Sequence, residues 1–335
     1  MEGPSVLAVI LNYRTGEMTL RALAAAVIAM EGVAGGIVVV DNDSGDGSFE
    51  TLRDAVAAAG WDRDCRVRVL ASGRNGGYGA GNNVGVRAGL PGGGAPDFVY
   101  VLNSDAFPEP GAIRSLRDHL AAHPRVGFAG SHIFGEDGVA HQTAFRFPSI
   151  ASEFEGAARL GPLSRLLARY TVARPLPEGP AQVDWLAGAS VMMRAEMLAE
   201  IGLFDEEFFL YFEETDLFLR ARRAGWTADY APESRVLHLG SISTGMGGWR
   251  RTPRYWFDSR LRYFVKNHGA AYAGAATLAH LAGGLIWRAR RLVTRHPPCD
   301  PPKFLSDLAL HATSAALGRF ARGPAGAERP LAHGR

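Results

Sequence analysis

The chain has 335 residues, 47% hydrophobic and 21% charged, which suits a globular enzyme with one large core or a core plus an accessory segment. Its net charge of +2 is uneven: residues 246–335 hold 15 Arg or Lys against 4 Asp or Glu, and residues 1–245 hold 21 against 30, which suggests a catalytic body with a tail drawn to something anionic such as a membrane surface or a phosphorylated lipid. Two distant cysteines, Cys65 and Cys299, argue against a disulfide framework or a zinc site, and Ser5–Leu11 is too short before Asn12 for a secretion signal, so a cytoplasmic location is expected.

Val6–Leu11 reads as a strand ending at Asn12-Tyr13-Arg14, and Thr19–Met30 as an alanine-rich helix. Ile37–Val40 is a second strand, ending at Asp41-Asn42-Asp43-Ser44, before a helix over Ser48–Ala59. Arg66–Leu70, Asn82–Leu90 and Phe98–Leu102 continue as strand, helix and strand with glycine-rich connections. This alternation predicts an α/β fold with a mostly parallel sheet covered by helices. Ligands of such sheets lie beyond the carboxyl ends of the strands, where Asn12, Asp41, Ser72–Tyr78 and Asn103–Asp105 all fall. Residues 131–182 are proline-interrupted and read as a variable excursion without chemistry. Regular structure resumes at Val183–Met193, followed by a helix over Ala195–Ile201, the aromatic run Phe204–Phe212, a helix over Glu214–Ala224 and a short strand at Arg235–Leu239. Ala270–Trp287 is apolar but rich in alanine and glycine, and Arg288, Arg290, Arg291 and Arg295 follow it. It reads either as an interfacial helix over anionic lipid or as a packed hairpin with a solvated basic face.

Three places carry chemistry. In Asn103-Ser104-Asp105 a hydrophobic strand runs into two polar side chains at i and i+2, which share a face. Asp105 there is either an oxygen ligand for a hard cation or a helix cap and turn residue. Glu213, Glu214 and Asp216 sit beside a dense aromatic wall, and partial burial together with like charge would raise a carboxylate toward a general base. The structural alternative has the glutamates capping the next helix and Asp216 pairing with Arg220 at i+4. His238, after Val236-Leu237, is by itself more readily structural than a ligand. Gly73–Asn83 departs from the dinucleotide spacing, and either brings backbone close to a phosphate or sugar hydroxyl or simply turns the chain.

Together Asn12-Tyr13-Arg14, Val40–Ser44, Asn75–Asn83, Leu102–Asp105, Trp185–Ala189, Phe204–Phe209, Glu213–Leu217 and His238 resemble, in order, the family 2 glycosyltransferases, and among them the bacterial rhamnosyltransferase-like branch. The resemblance implies a GT-A fold: a catalytic domain over 1–245, with a nucleotide-sugar half at 1–130 and an acceptor half at 131–245, and a basic, mainly helical extension at 246–335. It implies inverting transfer of a sugar, in this branch L-rhamnose from dTDP-rhamnose, to a glycan or polyprenyl-diphosphate-linked acceptor in cell-envelope polysaccharide synthesis. Nucleic acid is not an expected partner. Asp41 would hold the base, with Asn12 and Asn75 near the nucleotide or its sugar and Tyr13, Arg14, Gly77, Asn82, Asn83, Asn103 and Ser104 completing the donor site. Asp105 would be the principal ligand of Mg2+ or Mn2+, beside Asn103, with His238 completing the site. Glu214 matches the catalytic base, where the family more commonly has Asp, so Glu213 stays beside it as a candidate. Trp185, Gly188 and Asp216 are expected on the acceptor side, and contact with the inner face of the membrane would run through the extension. Two other readings are a soluble transferase acting on a natural product or protein, and a nucleotide-sugar-binding protein without catalysis.

Overall fold

The computed structural model describes residues 3–240, 250–295, 297 and 300–318. Cys299 and the basic residues beyond 318 lie outside the described residues. The first apolar runs, rich in Val, Ile and Leu, form β1 (Val6–Asn12), β2 (Gly35–Asp41), β3 (Val67–Ala71) and β4 (Phe98–Asn103), linked by α1 (Gly16–Ala29), α2 (Ser48–Ala58) and α3 (Tyr78–Ala88). They pair in parallel in the order β3-β2-β1-β4, with Asn12 opposite Asp41 at the carboxyl edge. The chain continues through β5 (Ala106–Pro108), α4 (Ala112–Ala122), β6 (Val126–Phe134), β7 (Ala144–Phe145), α5 (Ile150–Ala158), α6 (Gly161–Leu166), β8 (Ala181–Val183), β9 (Trp185–Leu186) and β10 (Ser190–Arg194). Then come α7 (Ala195–Ile201), α8 (Glu213–Arg223), β11 (Thr227–His238), α9 (Arg254–His268), α10 (Ala270–Thr294) and α11 (Phe304–Ala316).

The sheet extends past β4 as β10-β6-β11-β5, with β8 also on β11. β10 runs antiparallel to β4 and β6, and β5 and β8 run antiparallel to β11, so six strands point one way and three the other. One face packs on Leu23, Ala26, Leu52, Ile113 and Leu116 of α1, α2 and α4, and the other on Met197, Leu198, Leu217 and Phe218 of α7 and α8. Apolar burial on both faces is the main stabilising term.

Several boundaries differ from the sequence expectation for identifiable reasons. α3 begins at Tyr78, inside the glycine-rich stretch, because Gly81 and Gly85 lie against Leu11 and Val9 of β1 at distances that leave no room for a Cβ. Val183–Met193 divides into β8, β9 and β10, and β9 leaves the main sheet to pair with β7. Residues 131–182 are less irregular than their prolines suggest. β6 continues to Phe134 within the sheet, and Ser149 caps α5 through a reciprocal pair of hydrogen bonds with Ser152. The strand expected at Arg235–Leu239 is the end of a 12-residue β11, whose register shifts between Ala231 and Arg235.

The C-terminal helices pack against the body. α10 approaches α5 so closely that a Cβ on Gly283 would lie 2.6 Å from Phe154 O. Arg260 of α9, 2% exposed, donates to Thr277 Oγ1 of α10 at 3.1 Å and to Glu153 of α5 at 2.8 Å. Glu153 also bonds His280 Nδ1 at 2.7 Å; burial works against its charge, but Arg260 and His280 outweigh it and hold the carboxyl below its usual range. Removing one member of such a node leaves a buried charge unpaired, which makes it a strong constraint on helix placement.

Candidate active site

The carboxyl edge of β1 and β2 is a closed polar network. Asn12, fully buried, donates to Asp41 Oδ1 at 2.6 Å and accepts from Thr19 Oγ1 at 2.7 Å. Asp41 also accepts from the Ser44 hydroxyl on Oδ1 and from the Ser44 N–H on Oδ2. Arg14, exposed and in the left-handed region at φ 55°, donates through its N–H to Ser44 Oγ and stacks its guanidinium over Tyr13. Ser104, 3% exposed, accepts from Thr15 Oγ1 and so ties the end of β4 to this edge.

The loop before α3 joins this edge to the aromatic segment. Asn42 donates to Asn75 Oδ1 at 3.0 Å and to Gly77 O at 3.2 Å. Gly77 has φ 88° and ψ −173°, and a Cβ there would lie 1.8 Å from Phe209 O, which also accepts the Tyr78 N–H at 3.0 Å. Asn83 is a clamp: its side chain bonds Phe204 O, Phe204 N–H and Glu206, fixing the segment before α8. Buried Oδ1 atoms of Asn42 and Asn82 accept no hydrogen bond from the described residues, an expensive arrangement unless a ligand donates to them.

Asp105 and His238, 133 positions apart, meet because β5 pairs with β11 and sets His238 opposite Ala106. His238 Nε2 is 3.1 Å from Asp105 Oδ1, and the Leu239 N–H donates to Asp105 O. Asp105 is 3% exposed. Among the described residues no third His, Cys, Asp or Glu joins them. One hard oxygen and one imidazole, with no further side-chain ligand of these types, fit a divalent cation that keeps positions for phosphate and water. Asn103, at the end of β4, is half-buried and gives its backbone N–H to Ala189 O.

Glu213 and Glu214 open α8, where the helix dipole favours negative charge. Burial raises the Glu213 carboxyl well above the ordinary range, and charge on Glu214 adds to the effect. Burial also raises Glu214, but the backbone N–H groups of Glu214 itself and of Gly188 lie near enough to favour its charged form. By surface area Glu213 is 2% exposed whereas Glu214 is only half-buried, so Glu214 is the member that a substrate can reach. Oε2 of each accepts no hydrogen bond from the described residues. Just before them, Tyr211 and Phe212 both adopt the left-handed region, at φ 69° and 67°. This backbone is costly for large residues and is held by α9: Tyr255 packs on Phe209, Trp256 and Tyr263 pack on Phe212, and Ser259 donates to Leu210 O.

Tyr78 feels the charge of both carboxylate clusters. Its hydroxyl donates to Gly188 O at 2.6 Å, and its phenol is raised by burial first and then by the charges of Glu214 and Glu213, with Asp105 adding to them. Neither Tyr78 nor Asn42 stands out by residue type or spacing in the sequence. The available signal for Tyr78 is that it is the one bulky side chain within Gly76–Gly81.

The acceptor-side expectations divide. Gly188 lies against Glu214 and Tyr78, while Trp185 is half-buried, stacked on Phe145 with 4.2 Å between centroids, and donates to Arg146 O. Asp216 does not open to any acceptor. It has no exposed surface and accepts from Arg220 at 2.9 Å, Lys266 at 2.7 Å and Asn267 at 2.8 Å, fastening α8 to α9. The i+4 pair with Arg220 is therefore present, and the helix pairing uses both oxygens.

A family model described as "Glycosyltransferase like family 2" matches residues 4–264. The N-acetylglucosaminyl-diphospho-decaprenol L-rhamnosyltransferase of Mycobacterium tuberculosis is 33% identical over 247 residues, 71% of this chain and 76% of that protein. Rhamnosyltransferase WbbL of Escherichia coli is 25% identical over 171 residues, 51% of this chain and 62% of its own length. Among solved structures, the mannosyltransferase PcManGT from Pyrobaculum calidifontis, in complex with GDP-Man and Mn2+, is similar with a TM-score of 0.55 at 16% identity, over 95% of this chain and 81% of that one. GalNAc-T7, solved with UDP, GalNAc and Mn2+, gives a TM-score of 0.54 at 15% identity, over 96% of this chain and 58% of the other.

Proposed function

This chain belongs to glycosyltransferase family 2, in its rhamnosyltransferase-like branch and with its GT-A fold, and from that premise we propose that it moves L-rhamnose from dTDP-rhamnose to a hydroxyl of a polyprenyl-diphosphate-linked glycan, inverting the anomeric centre. The reading rests chiefly on one observation: Asp105 and His238, 133 positions apart, meet at 3.1 Å beyond the end of β4, and Glu214, half-buried at the start of α8, bears electrostatically on the same Tyr78 as Asp105. The acceptor class follows the Mycobacterium tuberculosis relative, whose name specifies a diphospho-decaprenol substrate. Such an acceptor goes with a cytoplasmic protein working at the inner face of the membrane, in cell-envelope polysaccharide synthesis.

The chemistry divides between the two clusters. Asp105 and His238, with Asn103 beside them, would hold Mg2+ or Mn2+, which when bound supplies Lewis-acid neutralisation of the departing diphosphate. Asp41 takes the nucleotide base through the lone pairs left on Oδ2, while Asn12 and Ser44 fix its orientation. Asn42 and Asn82 offer their unsatisfied Oδ1 atoms to base N–H or sugar hydroxyl donors, and Asn75, Gly77, Ser104, Tyr13 and Arg14 shape the same edge. Glu214 accepts the proton of the acceptor hydroxyl as that oxygen attacks the anomeric carbon opposite the leaving group. Glu213 keeps its own proton, because two adjacent carboxylates in a buried place do not both ionise readily. Gly188 and Trp185 line the acceptor side.

The test is a melting-temperature panel of nucleotide sugars, with and without Mg2+ or Mn2+, followed by anomeric analysis of any product. Stabilisation by dTDP-rhamnose that deepens with the cation, and a product of inverted configuration, is the expected result. Stabilisation by a different nucleotide sugar alone would replace the donor, and retained configuration would remove Glu214 as a base in a single displacement.

A further inference from the structure

Among the described residues eleven large apolar side chains are exposed, and seven of them lie on α10, on α11 or on Leu317, the residue that ends α11. On α10 they are ordered. Leu278 is 68% exposed, Leu285 63% and Leu292 86%, spaced by seven residues and so stacked along one side, with exposed Ala271, Gly274, Ala282 and Ala289 between and before them. The opposite side, with Ala273, Thr277, Gly283, Gly284 and Trp287, is buried. The apolar stripe from Ala271 to Leu292 runs about 30 Å along the helix axis.

The charges carried by this helix have one sign. α10 contains no Asp or Glu in its 25 residues, and exposed Arg288 and Arg295 have no carboxylate partner among the described residues. Beside them Trp287, Arg288, Arg291, Leu292, Asp300 and Lys303 line a groove of about 430 Å³. No described helix is long and apolar enough to cross a membrane. An exposed leucine stripe edged by Arg288 and Arg295 fits the interface plane of an anionic bilayer, leucines toward the acyl chains and guanidinium groups at the phosphates. A second copy of the same face fits poorly, since it would bring further arginines and no acid.

We propose that α10 is a membrane-docking helix that lies along an anionic lipid surface through Leu278, Leu285 and Leu292, with Arg288 and Arg295 at the headgroups. This deepens the lipid-linked acceptor reading, on which it rests for its purpose. The buried side of α10 is locked to α5 and α9 through Gly283 and Arg260, so docking fixes the whole molecule relative to the membrane.

The experiment is flotation of the full chain with phosphatidylcholine vesicles, with and without phosphatidylglycerol. Binding only to the anionic vesicles, weakening as salt is raised, is expected. The triple substitution Leu278→Gln/Leu285→Gln/Leu292→Gln should lower vesicle binding roughly tenfold or more with melting temperature and transfer to a water-soluble acceptor unchanged. Arg288→Gln/Arg295→Gln, confined to exposed side chains, should remove the anionic preference. No flotation of the parent chain, or equal flotation of the leucine variant, overturns the proposal. So does a parent dimer that the leucine variant dissolves without any vesicle binding. Vesicle binding requires no sugar nucleotide, so its failure and the failure of glycosyl transfer are seen separately.

Discussion

Replacing Glu214 with Gln is the sharpest test of the proposed chemistry. The amide has the shape of the carboxylate and keeps an oxygen for the Gly188 N–H, so the start of α8 and its packing should be preserved. It cannot take the acceptor proton. General-base loss is worth about 10²–10⁴ in rate, which corresponds to about 2.7–5.4 kcal/mol of transition-state stabilisation. The low end applies if water can replace the base, and the high end if the bound acceptor excludes it. Turnover at saturating donor and acceptor should fall at least about a hundredfold, while calorimetric affinity for the donor nucleotide stays within about twofold, since the base touches the acceptor and not the diphosphate. The pH profile of the parent enzyme supplies a second readout. The raised Glu214 carboxyl must be ionised to work, so activity should fall on acidification through a limb above the ordinary carboxylate range. Turnover of Glu214→Gln within threefold of the parent would refute the assignment.

Two other perturbations probe the surroundings. Glu213 is raised by burial and by its neighbour's charge, so between the unfolded carboxyl pKa and the higher native one the folded state holds more protons and stability declines as pH rises. Glu213→Gln should therefore raise the urea midpoint at pH 8 and lose that advantage at low pH; a pH-independent difference would show that the carboxyl is not raised. Gly77→Ala would place a Cβ on Phe209 O in a backbone region nearly confined to glycine, which costs about 1–3 kcal/mol, and would break the Tyr78 N–H bond worth about 1 kcal/mol. A loss of roughly 2–4 kcal/mol in denaturant unfolding is expected; a loss below about 1 kcal/mol would mean that the loop and the segment before α8 move apart freely.

Much of the fold is legible in the sequence because its first half obeys simple periodicity. Apolar runs ending in Asn12, Asp41 and Asn103 can only be strands whose polar ends share an edge, and the helices between them follow from spacing. α3 is less legible, since its glycines satisfy packing against β1 at the cost of local helix propensity. The meeting of Asp105 with His238 depends on a three-residue strand, β5, pairing across the sheet, and nothing local announces it. Tyr78 escapes notice for a similar reason: its importance comes from Gly188, 110 positions away. Asp216 shows the opposite error. A carboxylate beside Glu214 looks available in sequence, yet Lys266 and Asn267, also distant, consume it.

The left-handed turn at Tyr211 and Phe212 has a practical consequence. The sequence suggests that the protein could be trimmed near residue 245 into a minimal catalyst, yet the aromatic ring pairs and the Ser259 bond that brace this turn come from α9. A shortened protein would keep the carboxyl edge of the sheet and lose the brace behind Glu213 and Glu214. For protein engineering, then, the smallest useful unit takes in α9 and, through Thr277 and His280 at the buried Arg260–Glu153 node, α10 as well, so fusion partners or affinity tags belong beyond Thr294.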